Sequence, residues 1–306
     1  MRWLPNSAAA WLLALAAARP AAAPAQGLDS LVMRVGAMSA VTGLEGAMAD
    51  TLLTLLPGSH RDRAGNVVQV RGSGEPVRVA ACPMDEMGYV IGGVTTEGYL
   101  TLRRVGGTAV GPLYDQFLEG QRVTVFGRRG AVPGVVGVRS THLARGRAGG
   151  DDLPFNLDNA YVDIGAASPR DVAALGIAVL SPLTRAKNVH RYGSQGGLAA
   201  APWMAQRAAC AALLSAARRA TPGPGMTIVA FTAQRHMANT GAAFLALNYP
   251  GAEVITVGAA ADSSGAGRVT SGWGLSARYL RTPVETVALA DIAQLEDRLA
   301  AWLGGR

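Results

Sequence analysis

The sequence predicts an α/β protein interrupted by a small all-β insert, and three observations lead there. Nearly uninterrupted apolar runs of strand length, at 77–82, 226–232 and 253–257, are separated by helical patterns, as in sheets covered on both faces. From Gly88 to about Asp163 the texture changes to short β-type runs divided by glycine-rich turns, which suggests a small barrel or sandwich. Beyond Asp163 helical patterns return.

The elements follow in order. Residues 31–56 carry apolar and small side chains at helical spacing up to Pro57-Gly58 and read as one helix. Arg61-Asp-Arg-Ala-Gly-Asn66 is a turn between extended segments, and 67–70 and 77–82 are strands. Within the insert, Tyr89-Val-Ile, Tyr99-Leu-Thr-Leu, Val123-Thr-Val-Phe and Gly134-Val-Val-Gly-Val are its strands. Ser168 is the cap of a helix with Pro169 at its first position. A long alanine-rich helix over 202–220 stops at Thr221-Pro-Gly-Pro-Gly225. A strand (226–232), a helix (240–247), a strand (253–257) and an amphipathic helix (289–303) complete the chain. The domain plan is thus an α/β domain at 26–87 and 164–306 around an insert at 88–163.

With 49% hydrophobic and 16% charged residues, this is the composition of an ordered globular protein. Met1-Arg-Trp, an apolar Ala8–Ala18 stretch and the small-x-small sequence Ala23-Pro-Ala25 read as a signal peptide over residues 1–25. The expectation is an exported mature chain, periplasmic or secreted, without a membrane anchor after cleavage. Loss of Arg2 and Arg19 lowers the net charge from +7 to +5. Residues 88–150 hold eight arginines against Glu97, Asp115 and Glu119, a basic module that reads as a solvated face. Sparse aromatics and the lack of a binding motif argue against nucleic acid. The two cysteines, Cys82 and Cys210, do not form a Cys-x-x-Cys zinc pattern.

Five stretches carry the functional question: 79–91, 204–207, 231–238, 255–258 and 277–285. Together with Asp62-Arg-Ala-Gly-Asn66, Met84-Asp-Glu-Met-Gly88, Gly120-Gln-Arg-Val123, His142-Leu143, Asp163-Ile-Gly-Ala-Ala-Ser168 and Arg278-Tyr279, they resemble the glutamyl aminopeptidases, including the tetrahedral aminopeptidases that assemble into dodecamers. The resemblance runs from about Met33 to the C-terminus. It implies a mixed-sheet aminopeptidase-like sandwich with an inserted small β-barrel, shortened between Val257 and Trp273 near the C-terminal sheet edge.

It also implies a dinuclear zinc or cobalt centre, and here the residues depart from the family pattern. Pro83 stands where a metal-binding histidine is expected, while Asp85, its orienting aspartate, remains. Ala205-Gln206-Arg207 replaces an Asp-Asn-Arg segment whose aspartate bridges both metals. Gln234-Arg235-His236 replaces the Gln-Glu-Glu of general base and ligand, Gly258 an aspartate, and Arg281 the last histidine. Proline, alanine and glycine offer no side-chain donor, and fixed guanidinium charges repel a divalent ion. The expectation is therefore that the metals are lost and no catalytic residue remains, with His236 plus His190 or Asp85 as the only residual ligand set.

Arg207, Arg235 and Arg281 either pair with Asp85, Glu86 and Glu285 or bind an anionic or peptide ligand. In the family's fold the segments flanked by Cys82 and Cys210 converge, so the resemblance also raises a disulfide across the old site. A Ser194–His190–Asp85 triad lacks the nucleophile-elbow context, and no phosphate-binding glycine loop occurs. The favoured expectation is an exported, catalytically silent binding, scaffolding or regulatory subunit that self-associates or joins an active paralogue. The alternative is an active aminopeptidase drawing ligands from Glu253, Asp262 and Glu285.

Overall fold

The computed structural model describes residues 27–106, 113–137, 155–260 and 273–305. The signal-peptide reading, His142-Leu143, Asp262 and the arginines at 139, 145 and 147 lie outside them.

The chain opens with α1 (Leu28–Gly36) and α2 (Gly46–Leu55), where the periodicity had predicted a single helix. The break is non-local in origin. Residues 40–42 lie against Glu86, with Thr42 N–H donating to Glu86 O (2.9 Å) and Glu86 N–H to Ala40 O (2.8 Å). Gly43 then turns through a positive φ of 79°. Three strands follow, β1 (His60–Arg61), β2 (Val67–Gly72) and β3 (Val77–Pro83).

The insert comprises β4 (Gly88–Val94), β5 (Leu100–Val105), β6 (Arg122–Gly127), β7 (Gly130–Val136) and β8 (Val162–Asp163), then α3 (Pro169–Ala174) and β9 (Pro182–Arg185). These six strands close a barrel in the order β4-β5-β8-β7-β6-β9. The sequence boundary at residue 163 is corrected by this closure. β9 pairs antiparallel with both β4 and β6, so the barrel continues to Arg185. A barrel missing that strand would expose two edges, which closure removes. Ile91, Leu100, Leu102, Val125, Val162 and Leu183 are among the residues filling its core. α3 is capped as predicted, Ser168 Oγ accepting from the Asp171 N–H (3.3 Å).

After the barrel come β10 (His190–Tyr192), β11 (Leu198–Ala200), α4 (Met204–Arg219), β12 (Met226–Thr232), α5 (Thr240–Asn248), β13 (Glu253–Thr256), β14 (Gly258–Ala259), β15 (Gly274–Leu275), β16 (Thr286–Ala288) and α6 (Leu289–Leu303). The main sheet runs β1-β2-β12-β3-β13, with β12 and β13 parallel to β3 and β2 antiparallel to β12. Side chains alternate between its faces, as the two-residue period of a strand requires. Ala80, Cys82, Val229 and Phe231 join the core with α1, α2, α4 and α6, whereas Val79, Ala81, Ile228 and Ala230 meet Leu245 of α5. Two small sheets, β10-β11-β16 and β14-β15, had no counterpart in the sequence reading.

Thirteen of the sixteen residues of α4 are buried, which explains its alanines. A helix wedged between α1, α6 and β3 needs small side chains all round rather than a single apolar stripe.

Candidate functional site

In a parallel sheet the carboxyl ends of the strands face one crevice. Here β3 ends at Pro83, β12 runs into Gln234-Arg235-His236, and β13 runs on to Gly258. The N-terminal turn of α4 brings Ala205, Gln206 and Arg207 to the same place, and the loop before β16 brings Arg281. The structure thus gathers every altered position, and two side chains bind them together.

Gln206 is the first. Its Nε2 donates to Pro83 O (2.8 Å), and its Oε1 accepts from Arg235 Nη1 (3.2 Å). A Cβ added at Gly258 would lie 2.9 Å from that Oε1, so the buried glycine leaves room for the amide. Glu285 is the second. Its Oε1 accepts from the Ala205 N–H (2.7 Å) and its Oε2 from the Arg281 N–H (2.9 Å). Burial holds the Glu285 carboxyl above its ordinary range despite these two bonds. Where side-chain ligands are expected to face a metal, an amide and a carboxylate tie the segments to one another.

Behind them lies a buried ion cluster. Glu86, 1% exposed, accepts from Ala40 N–H (2.9 Å) and pairs with Lys187 Nζ and with Arg207 Nη2 (3.3 Å). Lys187 also donates to Met38 O (2.8 Å), and Arg207 to Met84 O and to Met38 O (3.2 Å). Burial, reinforced by the Arg207 charge, pulls the Lys187 ammonium down to about 7. The two cations overcome burial to hold Glu86 below the usual carboxylate range. Of the arginines expected to pair with Asp85, Glu86 and Glu285, Arg207 does so. Arg235 instead meets an amide, and Arg281 reaches Glu285 only through its backbone N–H.

Asp85 is 1% exposed and accepts from the backbone N–H of His236 through Oδ2 (3.1 Å), while its Oδ1 has no partner among the described residues. The His236 ring packs edge-on against Trp203 with centroids 5.4 Å apart. Burial lowers the His236 pKa; Asp85 opposes that shift, and Arg235 and Arg281 add to it. His190 stacks on Tyr192, and no hydrogen bond among the described residues links Ser194, His190 and Asp85. Cys82 and Cys210 form a disulfide directly beneath, Sγ atoms 2.16 Å and Cα atoms 5.6 Å apart.

The donor set does not suit a divalent ion. Among the described residues no three His, Cys, Asp or Glu side chains come together in a metal-holding group. The Gln206 amide hydrogen and the Arg235 guanidinium present protons where a metal needs lone pairs. Glu253, one of the alternative ligands, is turned away at the sheet edge, accepting from Trp302 Nε1 (3.3 Å) and facing Arg78 Nε (3.6 Å). Lys187 was not singled out in the sequence, and Gln206 was named only as part of the altered Ala205-Gln206-Arg207 segment. A single polar side chain carries no periodic signal of the distant groups it will meet.

A mixed parallel sheet covered on both faces, with a closed barrel inserted after the strand that ends at the site, defines an aminopeptidase-type α/β fold. Residues 65–280 match the M42 glutamyl aminopeptidases, and the chain belongs to that family. The lysyl aminopeptidase of Pyrococcus furiosus is 28% identical over 183 residues, 58% of this chain and 49% of that protein. SgcX of Escherichia coli (strain K12) is 34% identical over 155 residues, 48% of this chain and 39% of SgcX. The chain therefore matches half or less of the length of these relatives.

Among solved structures, the aminopeptidase APDkam598 of Desulfurococcus kamchatkensis superposes with a TM-score of 0.78 at 18% identity, covering 91% of this chain and 95% of that one. The Pyrococcus horikoshii TET1 peptidase, which can assemble into a tetrahedron or a large octahedral shell, gives 0.76 at 22%, covering 90% and 99%. At these identities the likeness is one of fold.

The fit of Gln206 to Gly258 makes a direct prediction. Gly258→Ala places a methyl against an amide held at both ends and costs about 1 kcal/mol of stability, the cost of modest overpacking. Urea denaturation is expected to show the loss, and to show it abolished in the Gln206→Ala background.

Proposed function

We propose that this chain is an exported, catalytically silent member of its family that works as a binding, scaffolding or regulatory subunit, either self-associating or joined to an active paralogue. One observation carries the reading: the altered positions meet at the carboxyl ends of the parallel strands and are tied to each other through Gln206 and Glu285. Assembly of the similarly folded TET1 peptidase supports the subunit role, and the apolar leader at residues 1–25 supports export.

The competing reading is a working aminopeptidase, favoured by the family to which the chain belongs. Elemental analysis of the purified protein after incubation with zinc and cobalt, with an aminoacyl-anilide hydrolysis assay, separates the two. Neither stoichiometric metal nor chelator-sensitive turnover is expected. Two bound ions with turnover abolished by a chelator would overturn the proposal.

A further inference from the structure

Six of the eight non-glycine residues with positive φ in the described chain, Trp203, Gln234, Ala238, Asn239, Tyr279 and Arg281, stand on the segments that form the crevice or immediately beside them. Left-handed backbone at such residues costs on the order of 1 kcal/mol each and persists where surrounding structure enforces it, most often at sites that work. In this crevice the strain does not position metal ligands.

It positions cations. Arg281 is exposed, at φ 64°, on the loop that Glu285 fastens to the N-terminal turn of α4. Arg235 is exposed and directed by Gln206 Oε1. Neither is within ion-pair distance of a carboxylate among the described residues, and both are tethered to adjacent residues at the start of α4, Arg235 through Gln206 Oε1 and Arg281 through Glu285, whose Oε1 holds the Ala205 N–H.

A second, independent observation lies beside them. Asp85 Oδ1 and Thr42 Oγ1 are buried polar atoms without a partner among the described residues. Both adjoin His236: Asp85 holds its backbone N–H, and Thr42 Cγ2 and His236 Cβ crowd the same side of Gly106. The acceptor and the hydroxyl lack partners in a site whose rim is cationic. Along the same loop, Pro283 joins Leu113 and Phe117 as the apolar part of a groove of about 290 Å³ that Gln116, Glu119 and Gln121 also line. Only Thr282 separates Pro283 from Arg281, a Cα span of at most about 7 Å.

We propose that the crevice binds the C-terminal residue of a peptide, its carboxylate clamped by Arg235 and Arg281 and its apolar side chain seated in the groove beside Pro283. Guanidinium groups match a carboxylate through paired N–H donors, and a nearby apolar groove selects among carboxylates. The terminal amide N–H of such a ligand supplies a donor of the kind Asp85 Oδ1 lacks. The proposal rests on the reading of the crevice as free of metal chemistry.

The test is calorimetric titration of the full mature chain, in the presence of a chelator, with N-acetyl-Ala-Ala-Leu as the free acid. The acetyl group removes the free amine that an aminopeptidase requires, so binding is read without turnover. The same peptide as its C-terminal amide, and acetate and phosphate alone, are the comparison probes. The free acid is expected to bind, and the amide to bind at least about ten-fold more weakly, the worth of a hydrogen bond to a charged group. Arg235→Gln and Arg281→Gln, both exposed and away from the core, are expected each to weaken the acid about ten-fold while leaving the amide unchanged.

Equal affinity for acid and amide, indifference to both arginine variants, or phosphate binding as tightly as the peptide would overturn it. So would no heat with any probe at millimolar concentration. That failure leaves the metal and hydrolysis results untouched, so it is distinct from failure of the proposed function.

Discussion

Replacing Cys82 and Cys210 together by alanine is expected to lower the stability of the oxidised protein by about 5 kcal/mol, the chain-entropy value for a loop of this length. The two residues are 128 apart in sequence, and the loop they close contains the entire barrel. Both are fully buried at the centre of the main core, where Cys82 is paired in register with Phe231 of β12 and Cys210 sits mid-helix in α4. The cross-link therefore fixes β3 to α4 directly beneath Pro83 and Gln206. Denaturant midpoints of the oxidised wild type and the double variant measure the effect, with mass analysis with and without reductant to confirm the bond. Coincident midpoints, or two free thiols in the purified protein, would mean that the two cysteines are not bonded.

The second large effect concerns Glu86. Glu86→Gln leaves Lys187 and Arg207 buried without their countercharge and is expected to cost about 3–5 kcal/mol, the penalty of breaking a buried pair by removing one partner. The cluster also fixes a pH dependence. Lys187 titrates near 7 in the folded protein and near its ordinary value of 10.5 when unfolded. Between those values the unfolded chain holds more protons than the native one, so this residue makes stability rise as pH climbs from about 7 towards 10. Chemical denaturation across that window is expected to show a steeper rise for the wild type than for Lys187→Met. Parallel curves would mean that Lys187 does not titrate there.

Much of the fold was legible because it is written in local patterns. The strand at Met226–Thr232, the closing helix at Leu289–Leu303 and the Ser168 cap came directly from apolar period and cap chemistry. Features set by distant contacts were not legible. The apolar spacing of 31–56 continues through the break that Glu86 imposes on residues 40–42. The four residues of β9 become a barrel strand only because β4 and β6 lie on either side.

The candidate site divides in the same way. Pro83, Ala205, Gly258 and the arginines were visible as residue types that fail as ligands. What fills their place was not, because a glutamine at position 206 means little until Pro83 O and Arg235 are placed on either side of it.

The chain enters the barrel two residues after Glu86 and leaves it two residues before Lys187. The buried carboxylate–ammonium pair is therefore a clasp across a neck only two strands wide. Force applied to the barrel by a gripping partner passes through that neck, to a clasp that shares Glu86 with Arg207 at the foot of α4. A protein cut to isolate or transplant the barrel must be severed at 87 and 186 rather than at 163, and the severed body would keep a carboxylate whose ammonium has left with Lys187 only if the cut falls beyond 187.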